Sequence, residues 1–145
     1  MSDKTIGFTG TQDGLTKEQV FELARLFAEH SDEFSNFIHG DCIGADAEAD
    51  NIADSMGYAT KMRPCTIDYK RAFCKTGIIV AEPAPPLDRN KLIVNDSDMM
   101  IGCPKEMKEV LRSGTWATIR YAIKTGKKLV IIYPNGKLEI KNAKE

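Results

Sequence analysis

The sequence lacks any apolar run near the roughly 18 residues that a membrane-spanning helix requires, so we expect no membrane-embedded segment. It also lacks an excess of charge, because its formal net charge is only −1 at pH 7. Without a basic surplus, no overall field attracts nucleic acid, which disfavours sequence-independent DNA binding. The first residues do not have the pattern of a signal peptide, and we therefore expect a cytoplasmic protein.

Paired cysteines are also missing. Cys42, Cys65, Cys74 and Cys103 form no Cys-x-x-Cys pair, a pattern typical of reduced thiols rather than disulfides. Their spacing from the two histidines does not fit a zinc site, so we expect no metal ion and no cofactor. No nucleophile stands beside an obvious base in the sequence, which leaves a covalent mechanism without a candidate.

What the sequence does contain is a regular alternation of strand and helix patterns over a chain long enough for one domain, residues 1–145. Helices are predicted after Thr16, from Ala45 to Gly57, as a short helix capped by Asp88, and from Ser113, with Trp116, Ile119, Ala122 and Ile123 facing inward. Strands are predicted at residues 5–9, 36–39, 58–62, 98–103 and 128–133, with a short edge strand over 138–140.

This alternation predicts an α/β fold with a mostly parallel sheet of about five strands and helices on both faces. Right-handed crossovers place every turn from strand to helix at the same edge of such a sheet, and ligands bind at that edge. We therefore expect Gly10, Gly40, Gly44 and Gly114 to lie close together, although they are far apart in sequence.

Residues 37–46 have the pattern of a strand end, a tight glycine turn and a helix start. Such a turn can aim unpaired backbone N–H groups at one spot, which attracts phosphate together with the helix dipole. Gly40 and Gly44 have no Cβ, so a ligand can approach the backbone closely. The spacing fits neither G-x-G-x-x-G nor a P-loop, and a tight turn without a ligand is the alternative interpretation.

A second junction of the same kind is predicted at Ser113, Gly114 and Thr115, where hydroxyl and N–H groups meet at a helix start. It is either a phosphate cradle or an ordinary N-cap. Arg89 precedes another strand of the same sheet, and arginine suits bidentate phosphate binding. The alternative for Arg89 is a solvated arginine at the start of a helix.

Asp41 and Asp46 are unusual neighbours for a phosphate site, because a carboxylate repels an anion. In one interpretation, the negative charge of Asp46 simply suits the N-terminus of the helix. In the other, one of the two aspartates accepts hydrogen bonds from ribose hydroxyls. His39 is interpreted as a packed imidazole rather than a general base. The proline-rich residues 63–86 are either a solvated loop over a sheet edge or a lid that brings a basic side chain to a phosphate.

Three stretches together resemble a known family: residues 39–46, residues 88–91 followed by 96–98, and residues 112–118. The chain resembles the SLOG superfamily of Rossmann-like proteins. That group includes the Lonely Guy phosphoribohydrolases, which activate cytokinins, and the Rossmann domain of DNA-processing protein A, and the small YspA/YpsA-like members are the most similar. The resemblance implies a Rossmann-like three-layer sandwich that assembles as a homodimer or higher homo-oligomer.

The resemblance also implies a nucleotide or nucleotide-derived ligand at the edge where strands lead into helices. Together with the residue patterns, it identifies the candidate binding residues as Gly10, Thr11, Gly40, Asp41, Gly44, Ala45, Asp46, Arg89, Asn90, Ser113, Gly114 and Thr115. One departure matters for activity, because Thr118 stands where the enzymes of the family have a catalytic glutamate. An inserted charged segment also separates Pro104 from Gly114.

Three functions remain open from the sequence. The first is a binding module, a sensor or sequestering protein, that holds a nucleotide-derived ligand without turning it over. The second is a phosphoribohydrolase-like enzyme that splits the N-glycosidic bond of a nucleoside 5′-monophosphate, with Arg89 on the phosphate and Asp41 or Asp46 as acid and base. The third is a nucleic-acid-binding module, which the neutral overall charge disfavours.

Overall fold

Seven strands and four helices form the fold in a computed structural model, which describes residues 4–142. The strands are β1 (Lys4–Gly10), β2 (Phe34–His39), β3 (Ala59–Met62), β4 (Ile78–Ile79), β5 (Met99–Cys103), β6 (Lys128–Ile132) and β7 (Leu138–Lys141). The helices are α1 (Lys17–Glu29), α2 (Ala45–Ser55), α3 (Pro86–Asp96) and α4 (Gly114–Lys124). Among these helices, none combines the length and the apolar character that crossing a membrane requires.

The strand order places a crevice in the middle of the sheet. The order is β4-β3-β2-β1-β5-β6-β7, and all neighbours are parallel except β6 and β7. The chain builds outward from β1 to β4 and then returns through α3 to β5, which pairs with the other side of β1. The strand order therefore reverses between β1 and β5, where parallel α/β sheets bind their ligands beyond the carboxyl ends of the strands.

The α/β class and the mostly parallel sheet are confirmed, but the expectation of about five strands is too low. The predicted edge strand exists as β7, which runs antiparallel to β6. The missed strand is β4, whose Ile78 and Ile79 pair with Lys61 and Met62 of β3. Both isoleucines are exposed, and a two-residue strand inside a proline-rich stretch has no periodicity that could reveal it.

Two apolar layers hold the sheet between its helices. One layer joins the sheet to α1 and α2 and includes Phe8, Phe27 and Phe37, with the rings of Phe27 and Phe37 packed edge to face at 5.1 Å. The other joins the opposite face of the sheet to α3 and α4 and includes Ile93 and Trp116. Successive strand residues alternate between the layers, as the twofold period of a strand requires. Ile123 does not join the second layer, contrary to the prediction, because it lies on the exposed side of α4.

The helix starts follow local sequence signals. Thr16 and Gln19 form the predicted capping box at α1, and the Ser113 hydroxyl accepts the Trp116 N–H at α4 over 3.2 Å. The expectation that Asp88 caps the third helix is wrong. Pro85 is the N-cap and Pro86 is the first helical residue, a position that suits proline because its N–H would be unpaired there.

Candidate functional site

A cavity of about 920 Å³ opens at the carboxyl ends of β1 and β5. Its walls are the end of β1, the β2–α2 turn, the start of α3, the β5–α4 segment (residues 104–113) and the start of α4. The candidate residues that line it are Gly10, Thr11, Asp46, Arg89, Asn90, Ser113, Gly114 and Thr115. The other four, Gly40, Asp41, Gly44 and Ala45, do not line it. The fold therefore brings the two predicted junctions to one cavity.

Arg89 is a buried cation in the cavity wall, with only 4% of its surface exposed. Its Nη1 donates to the Gly40 carbonyl at 2.5 Å and to the Arg63 carbonyl at 3.2 Å. Its Nε donates to Asn90 Oδ1 at 2.8 Å, and Nη2 contacts Cys42 Sγ at 3.3 Å. A guanidinium has five N–H donors, so one Nη2 hydrogen remains without an acceptor among the described residues.

No carboxylate of residues 4–142 lies within ion-pair distance of the Arg89 guanidinium. Its four hydrogen-bond acceptors are neutral oxygens and a thiol sulfur, so they orient the charge without cancelling it. Buried charges are ordinarily paired with an opposite charge. Arg89 therefore lacks a direct ion pair, although the nearby Asp46 carboxyl interacts with its charge, and it keeps one N–H donor without an acceptor among the described residues.

The β2–α2 turn differs from the predicted phosphate cradle, because the protein itself uses its N–H groups. Asp46 Oδ2 accepts the N–H groups of Gly40 and Cys42 at 3.0 and 3.1 Å. The Asp41 N–H donates to His39 Nδ1 at 2.9 Å. Asp46 thus occupies the position where a bound anion would sit in such a turn, and what this turn contributes to the cavity wall is side chains rather than free N–H groups.

The Asp46 carboxyl is buried, and burial raises its pKa above the ordinary aspartate value. The nearby His39 and Arg89 side chains and the two backbone N–H donors oppose that rise. Burial, together with Asp46, also raises the pKa of the Cys42 thiol to about 12, although Arg89 acts against the shift. Cys42 is therefore a protonated, weakly reactive thiol in the cavity wall rather than a nucleophile.

Two glycines of the turn permit close packing that the site depends on. A Cβ on Gly40 would lie 2.6 Å from Arg89 Cζ, inside the guanidinium. Gly44 has a φ of +84°, and a Cβ there would overlap the backbone carbonyl of Gln12. The Ala45 N–H also donates to the Thr11 carbonyl at 3.0 Å, which ties the start of α2 to the β1–α1 loop. The glycines therefore position the cavity wall, which they do not line themselves.

The start of α4 keeps the character of an anion site. Ser113 caps the Trp116 N–H, while the N–H groups of Gly114 and Thr115 have no acceptor within the described part of the chain. Both residues line the cavity, and a Cβ on Gly114 would meet nothing within 4 Å. Free N–H groups at a helix start attract anions, so this junction complements the charge of Arg89.

Thr118 takes no part in the cavity. Its side chain is buried, and its hydroxyl donates back to the Gly114 carbonyl at 2.9 Å within α4. Neither the position nor the hydrogen bond leaves it available to a ligand. The α4 wall of the cavity therefore offers N–H groups and hydroxyls but no carboxylate.

Several cavity residues were not singled out individually from the sequence. They include Lys70, Lys105, Glu106 and Arg112, which come from long connecting segments, and Arg120, which lies on α4. Lys105 pairs with Asp13 at 2.8 Å, and Arg120 pairs with Glu109 at 2.7 Å. Arg112 has no ion-pair or hydrogen-bond partner among residues 4–142. The wall is thus locally cationic in a chain whose formal net charge is −1, which total composition could not show.

Asp41 lies behind the wall and holds residues 63–86 in place. It is fully buried and accepts Arg71 Nε at 3.0 Å and the Cys74 N–H at 2.9 Å. Its own carbonyl accepts the Ala72 N–H at 2.8 Å. This anchoring brings the 3₁₀ turn Asp68–Lys70 to the cavity, where Lys70 is part of the wall. The segment therefore covers the sheet edge with β4 and also supplies a basic side chain.

His39, Asp50 and Cys74 form a group whose potential ligand atoms lie within 4.8 Å of one another. The hydrogen bonds around His39 argue against a metal ion there. Nδ1 accepts the Asp41 N–H, so Nε2 carries the proton that it donates to Asp50 Oδ1 at 2.7 Å. A histidine that binds a metal through Nε2 would instead carry its proton on Nδ1. His39 is therefore a packed imidazole that fixes the β2–α2 turn.

Comparisons with known proteins agree on the fold. No family model matches the sequence, and no curated protein matches it. The molybdenum cofactor binding protein from the phototrophic bacterium Rippkaea orientalis is similar in structure, with a TM-score of 0.68 over 92% of this chain and 78% of that chain, at 20% identity. The X-ray structure of TM1055 has a TM-score of 0.62 over 87% of this chain and 72% of that chain, at 14% identity. Identities this low show a shared Rossmann-like fold and nothing finer, so membership of the SLOG superfamily stays a prediction.

Proposed function

We propose that this protein binds a nucleotide or nucleotide-derived ligand and holds its phosphate between Arg89 and the start of α4. The observation that carries the proposal is the Arg89 guanidinium, which is buried in the cavity wall without a carboxylate partner among the described residues. A phosphate would supply a direct ion pair for the guanidinium and an acceptor for its remaining N–H group. The free N–H groups of Gly114 and Thr115 would bind the same anion from the facing wall.

The resemblance to the SLOG superfamily and the fold shared with a molybdenum cofactor binding protein support a small-molecule ligand of this kind. Binding without turnover is favoured because α4 offers no carboxylate to the cavity, and Thr118 is buried behind it. We propose a sensor or sequestering module that acts in the cytoplasm.

The homo-oligomer that the resemblance implies is tested by light scattering during size-exclusion chromatography, where a molar mass near 16.1 kDa would contradict it.

Calorimetric titration with a panel of nucleoside monophosphates, diphosphates, cyclic nucleotides and nucleotide sugars tests the proposal. At least one compound should bind, and Arg112→Ala should weaken that binding by about tenfold, because an unpaired cation leaves the wall. Arg89→Lys should weaken it as well, since an ammonium keeps the charge but loses the planar fork. Arg25→Ala is the matched control, because Arg25 is paired with Glu22 and Glu29 on α1, away from the cavity.

Absence of heat with every compound would refute the proposal. It would also be refuted if Arg112→Ala and Arg25→Ala bound the ligand with equal affinity and Arg89→Lys bound it as tightly as the wild type. Thermal unfolding of each variant shows whether the fold is intact. This matters for Arg89, whose contacts with the Gly40 and Arg63 carbonyls also hold the wall together. Arg112 has no such structural contact in the described chain, so its variant reports on the ligand alone.

A second candidate function rests on Asp46. Its carboxyl reaches the cavity wall, and Oδ1 has no hydrogen-bond donor among the described residues. A raised pKa suits a general acid, so Asp46 could protonate a leaving base in N-glycosidic hydrolysis. Release of free base from nucleoside 5′-monophosphates by the wild type, lost in Asp46→Asn, would establish the enzyme in place of the binding module.

A further inference from the structure

Three apolar side chains stand exposed at the cavity, beside the charged and polar residues of its wall. Leu87 is 59% exposed, Leu111 is 80% exposed and Val110 is 37% exposed, and all three line the cavity. A single exposed leucine is ordinary on a protein surface. Three exposed apolar side chains from two separate segments are a different case when all of them line one cavity, because that cavity also holds the groups that attract phosphate.

The backbone that presents these side chains is fixed by hydrogen bonds. The Leu111 carbonyl accepts Arg120 Nη2 at 3.0 Å, and the same guanidinium binds Glu109 through Nη1 at 2.7 Å. The Val110 carbonyl accepts the Ser113 N–H at 3.3 Å. Leu87 follows Pro86 in the first turn of α3. The apolar side chains are therefore held in position and are not the tips of an untethered loop.

Each apolar side chain is also close in sequence to a candidate ligand-binding residue or to Arg112. Leu87 and Asn90 are three residues apart on α3, which places them on the same face of the helix. Leu111 and Val110 directly precede Arg112 and Ser113. A ligand that fits both features has an anionic group joined to a flat apolar group, and a nucleotide has that construction.

We propose that Leu87, Val110 and Leu111 form a subsite that holds the nucleobase of the ligand by its faces, while its phosphate lies at Arg89 and the start of α4. This inference rests on the proposed function. Aliphatic side chains stabilise a bound ring through dispersion and burial of apolar area, and they form no hydrogen bonds with the edge of the ring. Affinity should therefore follow ring area, with purine nucleotides bound more tightly than pyrimidine nucleotides.

Calorimetry with the 5′-monophosphates of adenosine, guanosine, uridine and cytidine, and with ribose 5-phosphate, tests the subsite. Leu87→Ser and Leu111→Ser should each weaken binding of the tightest nucleotide by about tenfold. The affinity of each variant for ribose 5-phosphate, measured directly or by displacement of that nucleotide, should stay within about twofold of the wild-type value. Ribose 5-phosphate has no base, so it makes no contact with the subsite that the substitutions could remove. Leu92→Ser is the control, since Leu92 is an exposed leucine of α3 that does not line the cavity.

The outcomes separate this inference from the proposed function. If the wild type binds a nucleotide and both serine variants bind it equally well, the subsite is refuted while the proposed function stands. The subsite is also refuted if ribose 5-phosphate loses as much affinity as the nucleotide, or if Leu92→Ser has the same effect as the other two substitutions. If the wild type binds none of these compounds or any other nucleotide, both proposals fail together.

Discussion

Arg89 and Gly40 are in direct contact across the cavity wall, where Arg89 Nη1 donates to the Gly40 carbonyl at 2.5 Å. The contact depends on the absence of a side chain at Gly40, since a Cβ there would lie 2.6 Å from Arg89 Cζ. A glycine in the β2–α2 turn therefore sets the position of an arginine that enters from α3. This relationship makes the glycine a positioning residue for the proposed phosphate site.

Gly40→Ala should displace the Arg89 guanidinium and weaken nucleotide binding by about tenfold, because the guanidinium leaves its position in the cavity wall. The same change should also lower stability, since the hydrogen bond to the Gly40 carbonyl is lost. Calorimetry and urea unfolding measure the two effects separately. A double-mutant cycle with Arg89→Ala supplies the control. If Gly40→Ala weakens nucleotide binding as much in the Arg89→Ala protein as in the wild type, the positioning role of Gly40 is wrong.

Asp41 anchors residues 63–86, and its loss should loosen that segment. Asp41→Asn leaves Arg71 beside a neutral amide, and breaking a buried ion pair of this type costs about 3 kcal/mol of unfolding free energy. Asp13→Asn is the matched control, because the Asp13–Lys105 pair is exposed and should contribute less than about 1 kcal/mol. Urea unfolding gives both values.

Hydrogen exchange locates the effect of Asp41→Asn. The amides of Ala72 and Cys74, which donate to Asp41, should exchange faster in the variant, while amides of β6 should not. Equal protection of Ala72 and Cys74 in both proteins would show that the segment does not depend on Asp41.

The buried carboxyl of Asp46 should give stability a specific pH dependence. Burial raises its pKa in the folded chain, so the folded state keeps this proton to higher pH than the unfolded state, whose pKa is about 3.9. The contribution of this group is therefore greatest below about pH 4 and is lost as the pH rises through the folded pKa.

Asp46→Asn isolates that contribution, because an amide oxygen can still accept the N–H groups of Gly40 and Cys42. Unfolding free energies of both proteins, measured from pH 4 to pH 7, give the comparison. The stability of the wild type relative to Asp46→Asn should fall as the pH rises. A difference that is constant with pH would mean that Asp46 titrates alike in the folded and unfolded chains.

Introducing the glutamate that the Lonely Guy enzymes carry should harm this protein. Thr118 is 2% exposed, and its hydroxyl donates to the Gly114 carbonyl, so a glutamate there would bury an unpaired charge. Thr118→Glu should lower the unfolding free energy by several kcal/mol and yield no base-releasing activity. Thr118→Ala, which only removes the hydroxyl, should cost about 1 kcal/mol. A stable Thr118→Glu protein that releases free base would show that this position does face the ligand.

Local signals in the sequence predict the parts of the fold that depend on neighbouring residues. The capping box of Thr16 and Gln19 and the cap at Ser113 are set by contacts three residues apart, and the structure contains both. The start of α3 lies at Pro86 and not after Asp88, and the Pro85-Pro86 pair is the sequence signal for that start. Strand β4 has no local signal, because its place depends on Asp41 holding a distant segment against the sheet edge.

In the candidate site too, some features follow from the sequence pattern and others depend on tertiary contacts. Arg89, Ser113 and Gly114 could be predicted to meet, because parallel topology brings their elements to one edge. The use of the Gly40 and Cys42 N–H groups by Asp46 could not be predicted, since a helix-start aspartate can face either the turn or the solvent. Lys70 and Leu111 enter the cavity from segments whose paths are set by tertiary contacts, and their residue types alone do not place them there.

Titration of the isotope-labelled protein with the nucleotide panel, followed by amide and arginine Nε signals in NMR spectra, tests the central claim most directly. At least one nucleotide should shift the amides of Gly114 and Thr115 together with the Nε signal of Arg89, and leave β7 unchanged. Spectra in which no nucleotide moves these three signals, or in which the shifts fall on another surface, would contradict phosphate binding in this cavity.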